Sequence, residues 1–292
     1  MLGTESVSRK VFVVSNTIIL AFFSLACLLP FLHVLFASIS DPIQLSQHTG
    51  LVLRPLGFTT MGYQLVWINP HIVNGLRNTI FYTTLGTVIN LLLTSMGAYV
   101  CANKNFMPRN VIMFMITFTM FFSGGLIPFY LLVRNLGMDN TMWALLIPTA
   151  ISAFNLILMR SAFVEIPDSL DESARIDGAG DFRILFRIIL PVARPVVAVM
   201  VLLYAVGHWN SWFPAMIFLR SRDLFPLQLV LREILIQNND AQILSAVHGA
   251  ANQYRMLIRY SSIIVSIVPI ICVYPFIQKY FVKGIMIGSI KG

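Results

Sequence analysis

The sequence predicts an all-α membrane protein with six transmembrane helices, on two observations. Among the 292 residues, 57% are hydrophobic and only 11% are charged, whereas a soluble domain carries about 25% charged residues. Apolar runs also recur along the chain, and most reach the roughly 20 residues that a helix needs to cross a bilayer. Lipid is therefore the predicted solvent for most of the chain.

Six apolar runs are predicted to cross the membrane as helices. They cover residues 11–39, 73–102, 110–133, 141–159, 192–219 and 260–278. The first run follows Arg9 and Lys10, as the core of a signal peptide would. It is much longer than the roughly 7–15 apolar residues of such a core, so it is predicted to be retained as a helix.

Six spans place both termini on one side of the membrane, and the distribution of Lys and Arg predicts which side that is. The terminal side carries twelve of them: Arg9, Lys10, Lys104, Arg109, Arg160, Arg175, Arg183, Arg187, Arg194, Lys279, Lys283 and Lys291. The opposite side carries eight: Arg54, Arg77, Arg134, Arg220, Arg222, Arg232, Arg255 and Arg259. All five lysines lie on the richer side, so the termini are predicted to be cytoplasmic.

The sequence lacks the residues that several classes of function require. The basic residues are scattered at the ends of apolar runs, without the block that a nucleic-acid backbone would require. The sequence has no phosphate-binding loop, so any ATP and Mg²⁺ chemistry is predicted to reside on another polypeptide. It also has no metalloprotease, redox or hydrolase motif. We therefore predict no catalytic residue, no metal site and no cofactor bound by this chain.

The most informative segment is an acid-rich loop at residues 165–191. Half of the twelve acidic residues of the chain lie in its first seventeen positions: Glu165, Asp168, Asp171, Glu172, Asp177 and Asp181. Pro167 and Asp168 form a favourable helix start, because Asp can accept from free backbone N–H groups. Gly178 and Gly180 can adopt the left-handed conformation that ends a helix. The loop is therefore predicted to form a short helix.

A second short helix is predicted from Phe182 to Leu190, with Asp181 as its cap and Pro191 at its end. The two helices would form a rigid projection. On the first, Ala174 and Gly178 leave a small-residue face that another protein can approach, and Ile176 is predicted to be an exposed apolar residue. The alternative interpretation is a solvated loop with ordinary helix caps.

The spacing of this loop resembles the EAA loop of binding-protein-dependent ABC importers. That pattern reads E-A-A-x3-G-x9-I-x-L-P, and the chain matches it from Glu172 through Gly178 and Ile188 to Pro191, with Ser173 in place of the first Ala. Other similarities are Arg77-Asn78-Thr79, Trp209-Asn210 and the Lys-Gly pairs near the C-terminus. Together they resemble MalG-like permeases of carbohydrate importers, most similar to the branch that includes an alginate importer.

The resemblance implies a type I ABC importer permease fold whose EAA helix is a cytoplasmic coupling helix. It implies a bacterial inner-membrane location and these partners: a second homologous permease, two ATP-binding cassette subunits that carry ATP and Mg²⁺, an external solute-binding protein and a carbohydrate substrate. It assigns residues 1–72 to an N-terminal helix and external segment, 73–275 to the transmembrane domain and 276–292 to a cytoplasmic tail. The implied coupling residues are Asp168, Asp171, Glu172, Ser173, Ala174, Arg175, Asp177 and Gly178.

A second group of candidate residues lies in the fifth predicted span. His208, Trp209, Asn210 and Trp212 combine aromatic rings with hydrogen-bonding groups, which suits a passing sugar. Polar groups inside a span are expensive in lipid and usually face the bundle or a cavity. The alternative is that the Trp residues anchor the helix at the membrane interface and that Asn210 braces a neighbouring helix.

The outer segment at residues 220–259 is predicted to contain a short amphipathic piece after Pro226. In MalG-like permeases the matching loop reaches toward the binding protein. The resemblance thus implies binding-protein contact for Gln237, Asn238, Asn239 and Asp240. A surface turn is the alternative.

The competing functional hypothesis is an ion-coupled secondary sugar transporter. That class usually has an intramembrane carboxylate as its coupling site. None of the six predicted spans contains Asp or Glu. The missing carboxylate and the EAA pattern both favour the ABC permease.

Overall fold

The computed structural model describes residues 7–236 and 251–289, and within those ranges all regular structure is helical. The chain divides into two compact units. One unit contains the described residues of Met1–Pro70 and Glu233–Ile267, and the other contains those of His71–Arg232 and Val268–Gly292. The all-α prediction is confirmed.

The first unit is dominated by the long helix α1 (Val7–Ser38), which confirms the first predicted span. Its most apolar stretch is uncovered by the rest of the chain, as expected of a helix whose solvent is lipid. The short helices α2 (Pro42–Gln47) and α3 (Met61–Ile68) follow. The Ser38 hydroxyl lies 2.7 Å from the Tyr63 hydroxyl, so a hydrogen bond holds α3 against the end of α1.

In the second unit, α4 (Pro70–Ala102) is a continuous helix of 33 residues, as predicted for the second span. Its buried side is rich in small and hydroxyl-bearing residues. Such residues let neighbouring helices approach closely in a membrane, where hydrophobicity alone does not drive association.

The third predicted span is not one straight helix. The structure has α5 (Arg109–Phe121) and α6 (Leu126–Asn135), which meet at 117°. Gly125 lies between them with φ = +83°, a conformation that residues with a Cβ rarely adopt. The apolar run predicted a segment suited to lipid, but an apolar pattern does not show where a glycine reverses the backbone.

The fourth predicted span, 141–159, is also divided. A single turn, α7 (Trp143–Leu146), is followed by an irregular segment and then by α8 (Ala153–Val164). Pro148 lies in the irregular segment, and proline has no N–H with which to continue the hydrogen bonds of α7. The Ser152 side chain accepts from the Asn155 N–H and caps the start of α8.

The acid-rich loop forms α9 (Asp168–Ile176) and then α10 (Asp181–Ile184), which continues through a wider π turn (Leu185–Ile189) into α11 (Leu190–Val192). The chain turns by 91° into α12 (Arg194–Trp209). The remaining described helices are α13 (Phe213–Phe218), a 3₁₀ turn (Arg222–Leu224), α14 (Leu227–Ile236) and α15 (Ala251–Ser289).

Three described helices are long and apolar enough to cross a membrane, or five if each bent pair crosses as one span. The fifth predicted span, 192–219, covers α12 and α13, which residues 210–212 separate. The bent pair that can cross the membrane here joins residues 181–192 to α12, so the predicted span begins too late in the sequence. The sixth, 260–278, lies inside the longer α15. The chain is a multi-pass membrane protein.

Candidate functional site

The acid-rich loop is fixed to the helices that carry it by an apolar core. Ala174 of α9 is 7% exposed, and it packs with Phe163 of α8, Ile184 of α10 and Met200 of α12. This corrects the prediction that Ala174 and Gly178 form one open face, because Ala174 faces the interior of its own chain. The projection itself is confirmed as a packed element.

The end of α9 shows why Gly178 is required. Gly178 has φ = +78°. Its N–H donates to the Arg175 carbonyl at 3.0 Å, and the next N–H, from Ala179, donates to the Ala174 carbonyl at 2.9 Å. These two bonds form a Schellman motif with Gly178 in the left-handed position. The predicted stop at Gly178 is confirmed, whereas Gly180 has φ = −77° and is not left-handed.

Four polar side chains hold α9 to its surroundings, and we call Tyr99, Asp171, Arg175 and Asp181 the brace. Arg175 donates to Asp171 at 2.7 Å and to Asp181 at 2.6 Å. Tyr99, near the end of α4, donates to Asp171 at 2.9 Å. The hydrogen bonds to Asp171 and then to Asp181 raise the pKa of Arg175 above its ordinary value, so its guanidinium stays charged.

Lys104 adds one more tie from the segment after α4, at 2.5 Å from Asp168. These ion pairs are partly or largely exposed, and such pairs contribute about 0.2–1 kcal/mol each. They therefore set the orientation of α9 more than its stability. Two predicted caps are wrong, because Pro167 and Gly180 occupy the N-cap positions while Asp168 and Asp181 pair with basic residues.

The opposite side of α9 is open. Ser169, Glu172, Ser173 and Ile176 recur at helical spacing and are exposed, and we call them the outer face. The Ile176 side chain is 87% exposed, as predicted. Of the eight candidate coupling residues, Asp168, Asp171, Ala174 and Arg175 contact other elements of the chain through their side chains, although Asp168 and Arg175 stay partly exposed. Glu172, Ser173, Asp177 and Gly178 are exposed.

His208 connects α12 to α4 through its ring and does not project freely into a transport path. Its Nε2 lies 2.8 Å from Asn90 Oδ1, and the Asn90 amide donates to the Thr149 carbonyl at 2.7 Å. Asn90 is 1% exposed. Through this chain of contacts α12, α4 and the irregular segment before α8 are joined.

A second layer lies one turn away. The Tyr204 hydroxyl of α12 is 2.6 Å from the Thr94 hydroxyl of α4, and it accepts from the Ser152 N–H at 3.3 Å. Non-helical backbone at membrane depth needs hydrogen-bond partners. The two layers supply them at Thr149 and Ser152. Tyr204 and Thr94 look like ordinary span residues, so this role could not be predicted from the sequence.

The two tryptophans have different surroundings. Trp209 is 7% exposed and lines an apolar cavity of about 280 Å³ together with Ile80, Thr84 and Leu202. Trp212 lies beneath the Arg232 guanidinium of α14, 4.8 Å from ring centroid to Cζ. Such a cation–π contact stabilises by about 0.5–2 kcal/mol.

The Asn210 amide donates to the Val206 carbonyl at 3.0 Å and satisfies the end of its own helix. It therefore closes α12, and among the described residues it has no side-chain hydrogen bond to a neighbouring helix. Trp209 is thus the residue of this group that the apolar cavity includes.

The outer segment is tied to α4 where it begins α14. The Asn78 amide donates to the carbonyls of Asp223 and Phe225, and the Thr79 hydroxyl accepts from the Leu227 N–H at 2.8 Å. Helix α14 buries Leu227, Leu229, Leu231 and Ile234 and exposes Leu235, which confirms the predicted amphipathic piece. Gln237, Asn238, Asn239 and Asp240 lie outside the described residues, so their contact with a binding protein stays a prediction.

Apolar spanning helices with a braced, charged projection define a multi-pass membrane protein that carries a fixed polar element between α8 and α12. The chain belongs to the family of binding-protein-dependent transport system inner membrane components, whose profile matches residues 94–287. It is 39% identical over 274 residues to the polygalacturonan/rhamnogalacturonan transport system permease protein YtcP of Bacillus subtilis (strain 168). That match covers 94% of this chain and 96% of YtcP.

Two further similarities agree with this family. The arabinooligosaccharides transport system permease protein AraQ of Bacillus subtilis (strain 168) is 30% identical, with 74% of this chain and 72% of AraQ covered. A chain from the crystal structure of a bacterial ABC transporter involved in the import of the acidic polysaccharide alginate superposes with a TM-score of 0.88. The identity is 35%, with 96% of this chain and 99% of that chain covered. The fold is therefore that of a type I ABC importer permease.

Proposed function

We propose that this chain is a permease subunit of an ATP-driven importer and forms, with a second permease, the path for an oligosaccharide. The relatives named above carry or import polygalacturonan, arabinooligosaccharides and alginate. An acidic oligosaccharide is the substrate class that two of these three names support. An external binding protein delivers it, and Gln237 to Asp240 are the proposed contact.

The observation that carries the coupling role is the outer face of α9. An 87% exposed isoleucine beside Glu172 lies on a helix whose other side is fixed by a core and a brace. An exposed apolar side chain on a rigid support is suited to insertion into a partner's groove. The proposed partner is an ATP-binding cassette subunit that holds ATP and Mg²⁺.

In this proposal the brace transmits the partner's motion. When two ATPase subunits close on ATP, they move α9, and Tyr99 passes that movement to α4 while Ala174 passes it to α8 and α12. Because these links are short and packed, α9 moves together with the spans. The proposed orientation has both termini and α9 in the cytoplasm, as the excess of Lys and Arg predicts.

The test is uptake of labelled tetragalacturonate by proteoliposomes that contain this chain, its partner permease, the ATPase and the binding protein. We expect uptake that requires ATP and the binding protein and that persists when a protonophore and a sodium ionophore collapse the ion gradients. Liposomes without this chain are the control. Uptake that proceeds without ATP and stops with the ionophores would support the secondary transporter and overturn the proposal.

A further inference from the structure

Near the start of α4 an open cavity of about 720 Å³ combines a cation, amides and an aromatic ring. Asn74, Arg77, Phe81 and Thr84 line it from one face of α4, at spacings of three and four residues. Asn78 also lines it. We call this cavity the mouth.

The mouth has a fixed polar wall. Asn78 is held by its hydrogen bonds to the Asp223 and Phe225 carbonyls, at 2.6 and 3.1 Å. Arg77 is exposed, and within the described part of the chain no carboxylate lies within the 4.0 Å of an ion pair to its guanidinium. Asp223 also lines the mouth, and a carboxylate can accept hydrogen bonds from hydroxyl groups.

These groups match the parts of a uronic acid residue. A guanidinium binds a carboxylate through two parallel hydrogen bonds, and amide or carboxylate groups pair with sugar hydroxyls. The Phe81 ring is 48% exposed, so it offers an apolar surface to the face of a sugar ring. A neutral sugar would leave the guanidinium without a charged partner.

The mouth adjoins the apolar cavity that Trp209 lines, because Ile80 and Thr84 line both. A ligand held at Arg77 therefore lies near Trp209, one of the four residues predicted to line the substrate path. An arginine that only anchored a helix at the membrane surface would not need to lie beside such a cavity.

We propose that Arg77 binds the carboxylate of a uronic-acid-containing oligosaccharide at the mouth and thereby selects acidic over neutral sugars. This inference rests on the proposed function and deepens it by naming the subsite. Asn74 and Asn78 position the ring hydroxyls, and Phe81 packs against the ring.

The test is direct binding of tetragalacturonate and of its fully methyl-esterified form to the purified pair of permeases, together with uptake by the complete complex. The wild-type pair is expected to bind the acid at least about tenfold more tightly than the ester, because the ester cannot form the charge-assisted contact with Arg77. Arg77→Gln should abolish that preference, and Arg77→Lys should retain part of it through charge alone.

Arg134→Gln is the matched control, because Arg134 is another exposed arginine predicted on the same side of the membrane and lies outside the mouth. Co-purification of the partner permease shows that each variant assembles. An unchanged preference in Arg77→Gln, or equal binding of acid and ester by the wild type, overturns the inference. ATP-driven uptake of neutral oligosaccharides alone would overturn it while leaving the proposed importer intact, whereas no ATP-driven uptake of any sugar would reject the importer itself.

Discussion

Gly178→Leu is expected to reduce ATP-driven uptake by about tenfold or more while the protein still inserts and assembles with its partner permease. A Cβ at this position meets no described heavy atom within 4 Å, so the described part of the chain does not obstruct the first atom of the new side chain. The added volume instead enters the proposed docking surface beside Ile176. Overfilling a packed contact costs about 1–3 kcal/mol, which corresponds to a loss of about 10- to 100-fold in docking affinity.

Gly178→Ala separates this effect from backbone strain. Both variants place a Cβ on a residue with φ = +78°, and both incur the cost of about 1–2 kcal/mol of a left-handed conformation. Only leucine adds bulk at the docking surface. Uptake and ATPase activity of the reconstituted complex are the measurements, with Gly178→Ala close to wild type. Equal losses in the two variants would assign the effect to the helix end and reject docking at this position.

Gly86→Ala is expected to lower the thermal stability of the purified protein markedly. A Cβ at this position would lie 2.6 Å from Cε1 of the His208 ring, closer than nonbonded atoms pack. Moving the ring breaks its contact with Asn90, which is 1% exposed and has few alternatives. Overpacking costs about 1–3 kcal/mol, and an unsatisfied buried polar group costs a similar amount.

Two variants control this prediction. Gly207→Ala lies beside His208 on the same helix, where a Cβ meets no described atom within 4 Å, so its melting temperature should not fall. Adding His208→Ala to Gly86→Ala removes the clashing ring, so the double variant should be no less stable than His208→Ala alone. If the double variant lost as much thermal stability as the two single variants together, Gly86 and His208 would act independently, which would contradict the prediction.

The lipid-facing part of the fold could be predicted from the sequence, because residues that contact lipid must be apolar. Helices α1 and α4 follow their apolar runs to within a few residues. The breaks at Gly125 and before Ser152 were missed because they arise in equally apolar stretches. There, backbone conformation and tertiary hydrogen bonds decide the path of the chain.

The candidate site was predicted in part, for a related reason. Spacing located α9 and its glycine stop, since both depend on neighbours in the sequence. It did not separate Ala174, which is buried, from Ile176, which is exposed. That difference depends on α8 and α12, which approach from elsewhere in the chain. The contact between Arg175 and Tyr99 of α4 could not be predicted from sequence spacing either.

Contact between the outer face of α9 and a separate ATPase is tested most directly by site-specific cross-linking in the purified complex, after Cys27, Cys101 and Cys272 have been replaced by serine. A cysteine-directed photo-cross-linker is attached to Ile176→Cys in one variant and to Ala174→Cys in another. We predict that Ile176→Cys captures the ATPase subunit in high yield and that Ala174→Cys does not. Equal capture from both positions, or capture from Ala174→Cys alone, would contradict the claim.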